Sequence, residues 1–191
     1  MGGGSAASAL GAGARPRYKR GMDLTVSRRG LQWIAEIGGT AYRCALGRGG
    51  VVEASAKREG DGATPLGAWP LRRLHYRAER IAPAAKGIAL REIRSDDGWC
   101  DDPADAAYNR LVKLPYPARH ERLWRNDHLY DLVGELGYND APPRSGAGSA
   151  IFLPLARPGY GPPEGCVALA RDDLLAAVAL MTPDSRVVVK G

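Results

Sequence analysis

From residue 23 onward the chain alternates apolar and polar positions in short runs broken by glycine, the period-two pattern of strands with one buried face. Asp23-Leu24-Thr25-Val26-Ser27 alternates, Arg28-Arg29-Gly30 turns, and Leu31-Gln32-Trp33-Ile34-Ala35 returns, which predicts a hairpin. Gly38-Gly39 supplies a second tight turn before residues 40–46, so three antiparallel strands open the domain. Further strands are predicted over 68–74, 87–93, 128–133 and 185–190, and from Ala150 to Leu153. Pro70 places its strand at a sheet edge or puts the proline near a strand start, because proline lacks a ladder N–H. His75 is expected at the surface or half-buried.

Helical spacing is confined to two places. Residues 171–182 carry apolar side chains at Leu174, Leu175, Val178 and Met181, with Asp172 and Asp173 at the positive N-terminal end. A short helical turn is also predicted over 121–125. Residues 96–105 are read as an acidic polar loop without the ligand periodicity of a calcium site. The expected fold is therefore mainly β with one late helix.

Residues 1–21 are Gly/Ala/Ser-rich and then basic, without packable periodicity, and read as a disordered tail preceding one domain over 22–191. Its charges follow a diluted apolar segment instead of preceding it, so no signal peptide is recognised, and no run is long enough to span a membrane. At 191 residues and 45% hydrophobic content, one domain with a real core is the natural size. The net charge of +6 favours anionic partners, but the Lys and Arg residues are scattered and no nucleic-acid-binding signature organises them. Gly47 to Gly50 is not followed by Gly-Lys-Ser/Thr or by a helical pattern, so it reads poorly as a phosphate loop.

Three cysteines, Cys44, Cys100 and Cys166, lie far apart with no metal-ligand spacing, so neither a metal nor another cofactor is predicted. Cys44 and Cys100 read as small buried hydrophobes, or as partners in a disulfide if the compartment is oxidising. Cys166 differs. The apolar run Ala150-Ile151-Phe152-Leu153 enters a Gly/Pro-rich loop that ends in Gly165-Cys166 and then Val167 and Leu169. A strand, a long turn and a returning cysteine follow from that pattern. With glycine before it, the cysteine can present both its sulfur and its backbone N–H to an incoming carbonyl, placing nucleophile and oxyanion donor together.

The stretch IFL-x-LARPGY-x-P-x-EGCVAL, with Thr64-Pro65-Leu66-Gly67 upstream, resembles the catalytic domain of the L,D-transpeptidase family, in a divergent branch whose motif ends GCVAL. Lys57 to Pro65, Trp99-Cys100-Asp101-Asp102-Pro103, Ala107-Tyr108-Asn109 and Leu129-Tyr130-Asp131-Leu132 extend the resemblance over residues 23–189. It implies a sandwich-like or barrel-like β domain with the late helix beside the cysteine loop. It also implies cell-envelope or periplasmic work on peptidoglycan stem peptides; the cytoplasm is the alternative, given the lack of a recognised signal. Cys166 would attack the amide after the third stem residue, expel D-alanine, and pass the acyl group to another amine or to water.

One position departs from the family pattern. The histidine that serves the cysteine as base corresponds to Pro154, and the histidine preceding Gly-Cys corresponds to Glu164. Proline cannot accept a proton. Three readings stand: an enzyme with a substitute base, His128 or less suitably Glu164; an impaired enzyme with an intact cleft; or a non-enzymatic binder of cell wall or another anionic polymer. Arg157 and Tyr160 are candidates to contact a stem carboxylate or wall the cleft.

Overall fold

The computed structural model describes residues 22–191, so the tail expected over 1–21 lies outside the described residues. Strands β1 (Leu24–Arg29), β2 (Gln32–Ile37) and β3 (Thr40–Ala45) form the predicted meander. Two short strands, β4 (Val51–Val52) and β5 (Thr64–Pro65), pair in parallel, and β6 (Gly67–Tyr76) is the longest strand, with β7 (Leu90–Glu92) parallel to its second half. A three-stranded sheet follows, made of β8 (Asp97–Cys100), β9 (Arg110–Lys113) and β10 (His120–Arg122), with β8 central. The chain finishes with β11 (Leu132–Leu136), β12 (Phe152–Pro154), β13 (Ala168–Leu169), α1 (Arg171–Leu180) and β14 (Arg186–Val189).

The main sheet runs β12-β11-β6-β14-β1-β2-β3-β13, with β7 against β6. Its two ends meet: Val167 N–H donates to the Phe152 carbonyl at 3.1 Å, and Ala156 N–H to the Leu169 carbonyl at 2.6 Å. The sheet thus nearly closes into a barrel, which leaves few free strand edges. The mainly β fold with one late helix is the one expected. Helix α1 buries Leu174, Ala177 and Val178 against the core that includes Leu24, Val26, Leu132 and Val187.

Several local expectations are corrected. His75 is not half-exposed but 2% exposed; its Nε2 lies 2.8 Å from Glu135 Oε2, a carboxylate partner that makes burial of a polar ring tolerable. Residues 121–125 do not form a helical turn, because 120–122 pair with β8 as a strand, Glu121 opposite Trp99. The acidic stretch 96–105 is not wholly a loop: Asp97 begins β8 fully buried, and Arg91 and Lys113 hold its carboxylate at 2.8 to 2.9 Å. Here local charge misled, since the balancing cations are contributed by β7 and β9. β11 starts at Leu132, which leaves His128 in the preceding loop.

Pro70 lies neither at an edge nor at a strand start. It sits mid-strand opposite Arg186 of β14, and its carbonyl accepts the Gly137 N–H at 2.8 Å. The register of β11 shifts between Glu135 and Leu136, next to this point, so the missing proline N–H falls where the ladder is already broken.

Candidate active site

Cys166 sits just before β13, where the closing end of the sheet brings it against β12. It belongs to a small buried cluster that also holds Trp99, Tyr130, Val133 and Phe152, and it is 6% exposed. The thiol donates to the Ala150 carbonyl at 3.4 Å. Ala150 has φ of 51°, an uncommon left-handed conformation for a residue with a Cβ. Asn109 stabilises it: the Asn109 Oδ1 accepts the Ala150 N–H and the Trp99 indole N–H, each at 3.0 Å. Its Nδ2 donates to the Asn139 carbonyl at 2.8 Å, so one buried amide ties three segments around the cysteine.

On the other side, Gly165 has φ of +99° and is packed so closely that an added Cβ would lie 2.9 Å from the Ala63 carbonyl oxygen. Thr64, fully buried, accepts the Gly47 N–H at 2.9 Å and donates to the Cys166 carbonyl at 3.4 Å. Lys57 is 3% exposed and pairs with Asp61 at 2.5 Å, closing the loop that leads to Thr64. The cysteine is therefore held by backbone and buried polar contacts from distant parts of the chain.

A cleft of about 160 Å³ opens beside it, lined by Cys166, Pro154, Tyr130, Glu121, Arg125 and Arg157, with Glu59, Asp101 and Glu164 also on its wall. Pro154 lines this space and offers nothing to take a proton. A larger, mostly apolar pocket of about 690 Å³ adjoins it, sharing Leu129, Leu155 and Arg157. His128 and Tyr160 line that second pocket, not the space beside the thiol. His128 Nδ1 lies 2.9 Å from Asp131 Oδ2, a buried carboxylate that Arg80 also binds at 2.8 Å. Tyr160 lies under the Arg43 guanidinium, 4.3 Å from its ring centroid. Glu164 pairs with Arg48 at 2.9 Å on the exposed rim.

Burial pushes the Cys166 thiol up to about 12; the Phe152 amide opposes this, and the negative charge of Glu121 adds to it. Glu121, Tyr130 and Arg125 were not among the site residues expected from sequence. Tyr130 lay within one of the resembling motifs, but Glu121 and Arg125 carried no local signal, since the pairing of β10 with β8 is what brings them to the cleft.

A family model described as the L,D-transpeptidase catalytic domain (YkuD) matches residues 24–189. The chain belongs to this family. No curated protein and no solved structure matches it. For an L,D-transpeptidase catalytic domain, the motifs that carried the resemblance are now spatially explicable: Thr64, Lys57, Tyr108 and Asn109 converge on the loops that hold Cys166. Tyr108 shows this well, accepting the Gly148 N–H at 3.0 Å and donating to Glu59 at 2.5 Å.

Proposed function

We propose that this protein is a cysteine-dependent L,D-transpeptidase of the cell envelope that acts on peptidoglycan stem peptides through a Cys166 thioester. What supports this most is the placement of Cys166 on the wall of a cleft that also presents Arg157, a cation suited to a stem carboxylate; Arg125, on the same wall, is bound to Asp127 at 2.6 and 2.9 Å. Gly165 and Cys166 would supply the turn, the nucleophile and a backbone oxyanion donor. The adjoining apolar pocket continues the cleft past Leu129, Leu155 and Arg157, which gives room for an extended peptide.

The barrier lies in ionisation. A thiol held at about 12 is ionised in roughly one molecule in 10⁵ at pH 7, about 7 kcal/mol against a preformed thiolate. The proton must leave as the sulfur attacks, which requires an acceptor within reach. With Pro154 in the cleft, turnover is expected to be slow compared with a domain that carries an imidazole there.

A second reading, a catalytically silent cell-wall binder, draws on the same two observations, the buried thiol and Pro154. Incubation with stem tetrapeptides separates the two. Release of D-alanine, lost on Cys166→Ala, sustains the enzyme. No release, with peptidoglycan retained equally by the natural chain and Cys166→Ala, sustains the binder.

A further inference from the structure

The cleft beside Cys166 contains a polar pair that no expected role absorbs. Tyr130 is 8% exposed and packs in the same cluster as Cys166, and its hydroxyl donates to Glu121 Oε1 at 2.7 Å. A phenol oxygen that donates one hydrogen bond still has a lone pair with which to accept another. Arg125 lies 3.9 Å from the same carboxylate oxygen, with its guanidinium 5.4 Å from the Tyr130 ring centroid. The carboxylate is thus tethered and its charge partly balanced. Strand pairing fixes it in place, because Glu121 stands opposite Trp99, whose ring meets Phe152 edge-on at 5.0 Å.

We infer that Tyr130 relays the Cys166 proton to Glu121, so that this pair does the work for which Pro154 has no group; the inference rests on Cys166 being the nucleophile proposed above. The other carboxylate and imidazole expected from sequence are engaged elsewhere. Glu164 is bound to Arg48 at the solvent rim, and His128 is bound to Asp131 in the adjoining pocket. Glu121 is also the charge that acts most strongly on the thiol, and burial raises its carboxyl above the usual range, making it a better acceptor than a solvated glutamate.

The step balances. The Cys166 S–H bond breaks as the sulfur–carbon bond forms at the scissile carbonyl; the proton goes to the Tyr130 oxygen while the Tyr130 proton moves to the Glu121 carboxylate. The carbonyl π pair goes to oxygen. On collapse the carbon–nitrogen bond breaks, Tyr130 gives its proton to the leaving nitrogen, and Glu121 returns one to Tyr130. The products are a thioester, a neutral amine and an ionised Glu121.

The test is the rate of Cys166 acylation by a carbapenem, followed by intact mass across pH 4 to 9. It uses the full chain and its Glu121→Gln, Tyr130→Phe, Pro154→His and Glu121→Gln/Pro154→His variants. The natural chain is expected to acylate along a rising acid limb centred above the usual carboxylate range. Glu121→Gln is expected to slow it by roughly 100-fold and abolish that limb, and Tyr130→Phe by about tenfold or more. Pro154→His is expected to restore the rate in the Glu121→Gln background, which loss of a merely structural contact would not allow.

Equal rates in the natural chain and in folded Glu121→Gln and Tyr130→Phe overturn the relay and leave the cysteine reading standing. So does a silent natural chain beside an active Pro154→His variant. Silence in both overturns the cysteine reading as well. If Glu121→Gln does not fold, an undiminished Tyr130→Phe or a natural profile without the acid limb overturns the relay.

Discussion

The Thr64 hydroxyl donates to the Cys166 carbonyl across 102 positions of sequence, while accepting the Gly47 N–H. One buried side chain therefore fixes the backbone of the cysteine to the loop that packs under it. Thr64→Val keeps the shape and removes both bonds, which leaves a buried N–H and a buried carbonyl unpaired. Urea unfolding is expected to show a loss of roughly 1 to 3 kcal/mol. Thr64→Ser, which keeps the hydroxyl, is expected to retain most of that stability, and equal losses in the two variants would refute the role of the hydroxyl.

Two glycines separate conformational cost from steric cost. Gly30, at the tip of the first hairpin, has φ of +60° and nothing within 4 Å of an added Cβ, whereas Gly165 adds the contact at 2.9 Å to a backbone oxygen. Gly30→Ala is expected to cost about 1 kcal/mol. Gly165→Ala is expected to cost clearly more, about 2 to 4 kcal/mol, because the Ala63 backbone cannot give way as the far end of a flexible side chain can. Thermal melts of the two variants side by side check the order.

The alternation of β1 to β3, the spacing in α1 and the terminal strand were legible because each depends on local periodicity. So was the local setting of Cys166, between a strand and the next with Gly165 before it, since strand, loop and glycine are contiguous. What escaped depends on partners distant in sequence. Asp97 read as loop charge because Arg91 and Lys113 reach it from other strands, and His75 read as half-exposed because its partner Glu135 is 60 positions away. Glu121 belongs to the cleft only through its register with Trp99, and no one-dimensional pattern encodes that register.

Asp97 gives a prediction in acid. Arg91 binds it through both oxygens at 2.8 Å, Lys113 adds 2.9 Å, and the Arg94 amide donates at 2.8 Å, so its carboxyl is held well below the ordinary value despite burial. A depressed folded value means stability that is present above the unfolded value, about 3.9, and lost as pH falls below it. Asp97→Asn removes the anion but leaves two cations facing one another. It is expected to cost about 2 to 4 kcal/mol at pH 7. The difference between the two proteins in urea midpoint should shrink between pH 4 and pH 2, and a constant difference would show that the carboxylate is not the source.

The cysteines set the opposite limb. All three are free and buried, and burial lifts both Cys44 and Cys166 from 9.0 to about 12. Between those values the unfolded chain releases thiol protons that the folded chain keeps. Stability contributed below pH 9 is therefore lost as pH rises, by roughly 1.4 kcal/mol per unit for each thiol. Buried tyrosines, Tyr108 and Tyr130 among them, are raised too and steepen the fall above about pH 10. Single replacement isolates each thiol: Cys44→Ala and Cys166→Ala each carry a cavity cost that does not vary with pH, but each is expected to flatten the slope by one thiol's share. Urea midpoints at pH 8, 9.5 and 10.5 measure it. An unchanged slope in Cys166→Ala would mean that its sulfur ionises near the ordinary value in the folded protein, and the case for proton transfer during attack would fall with it.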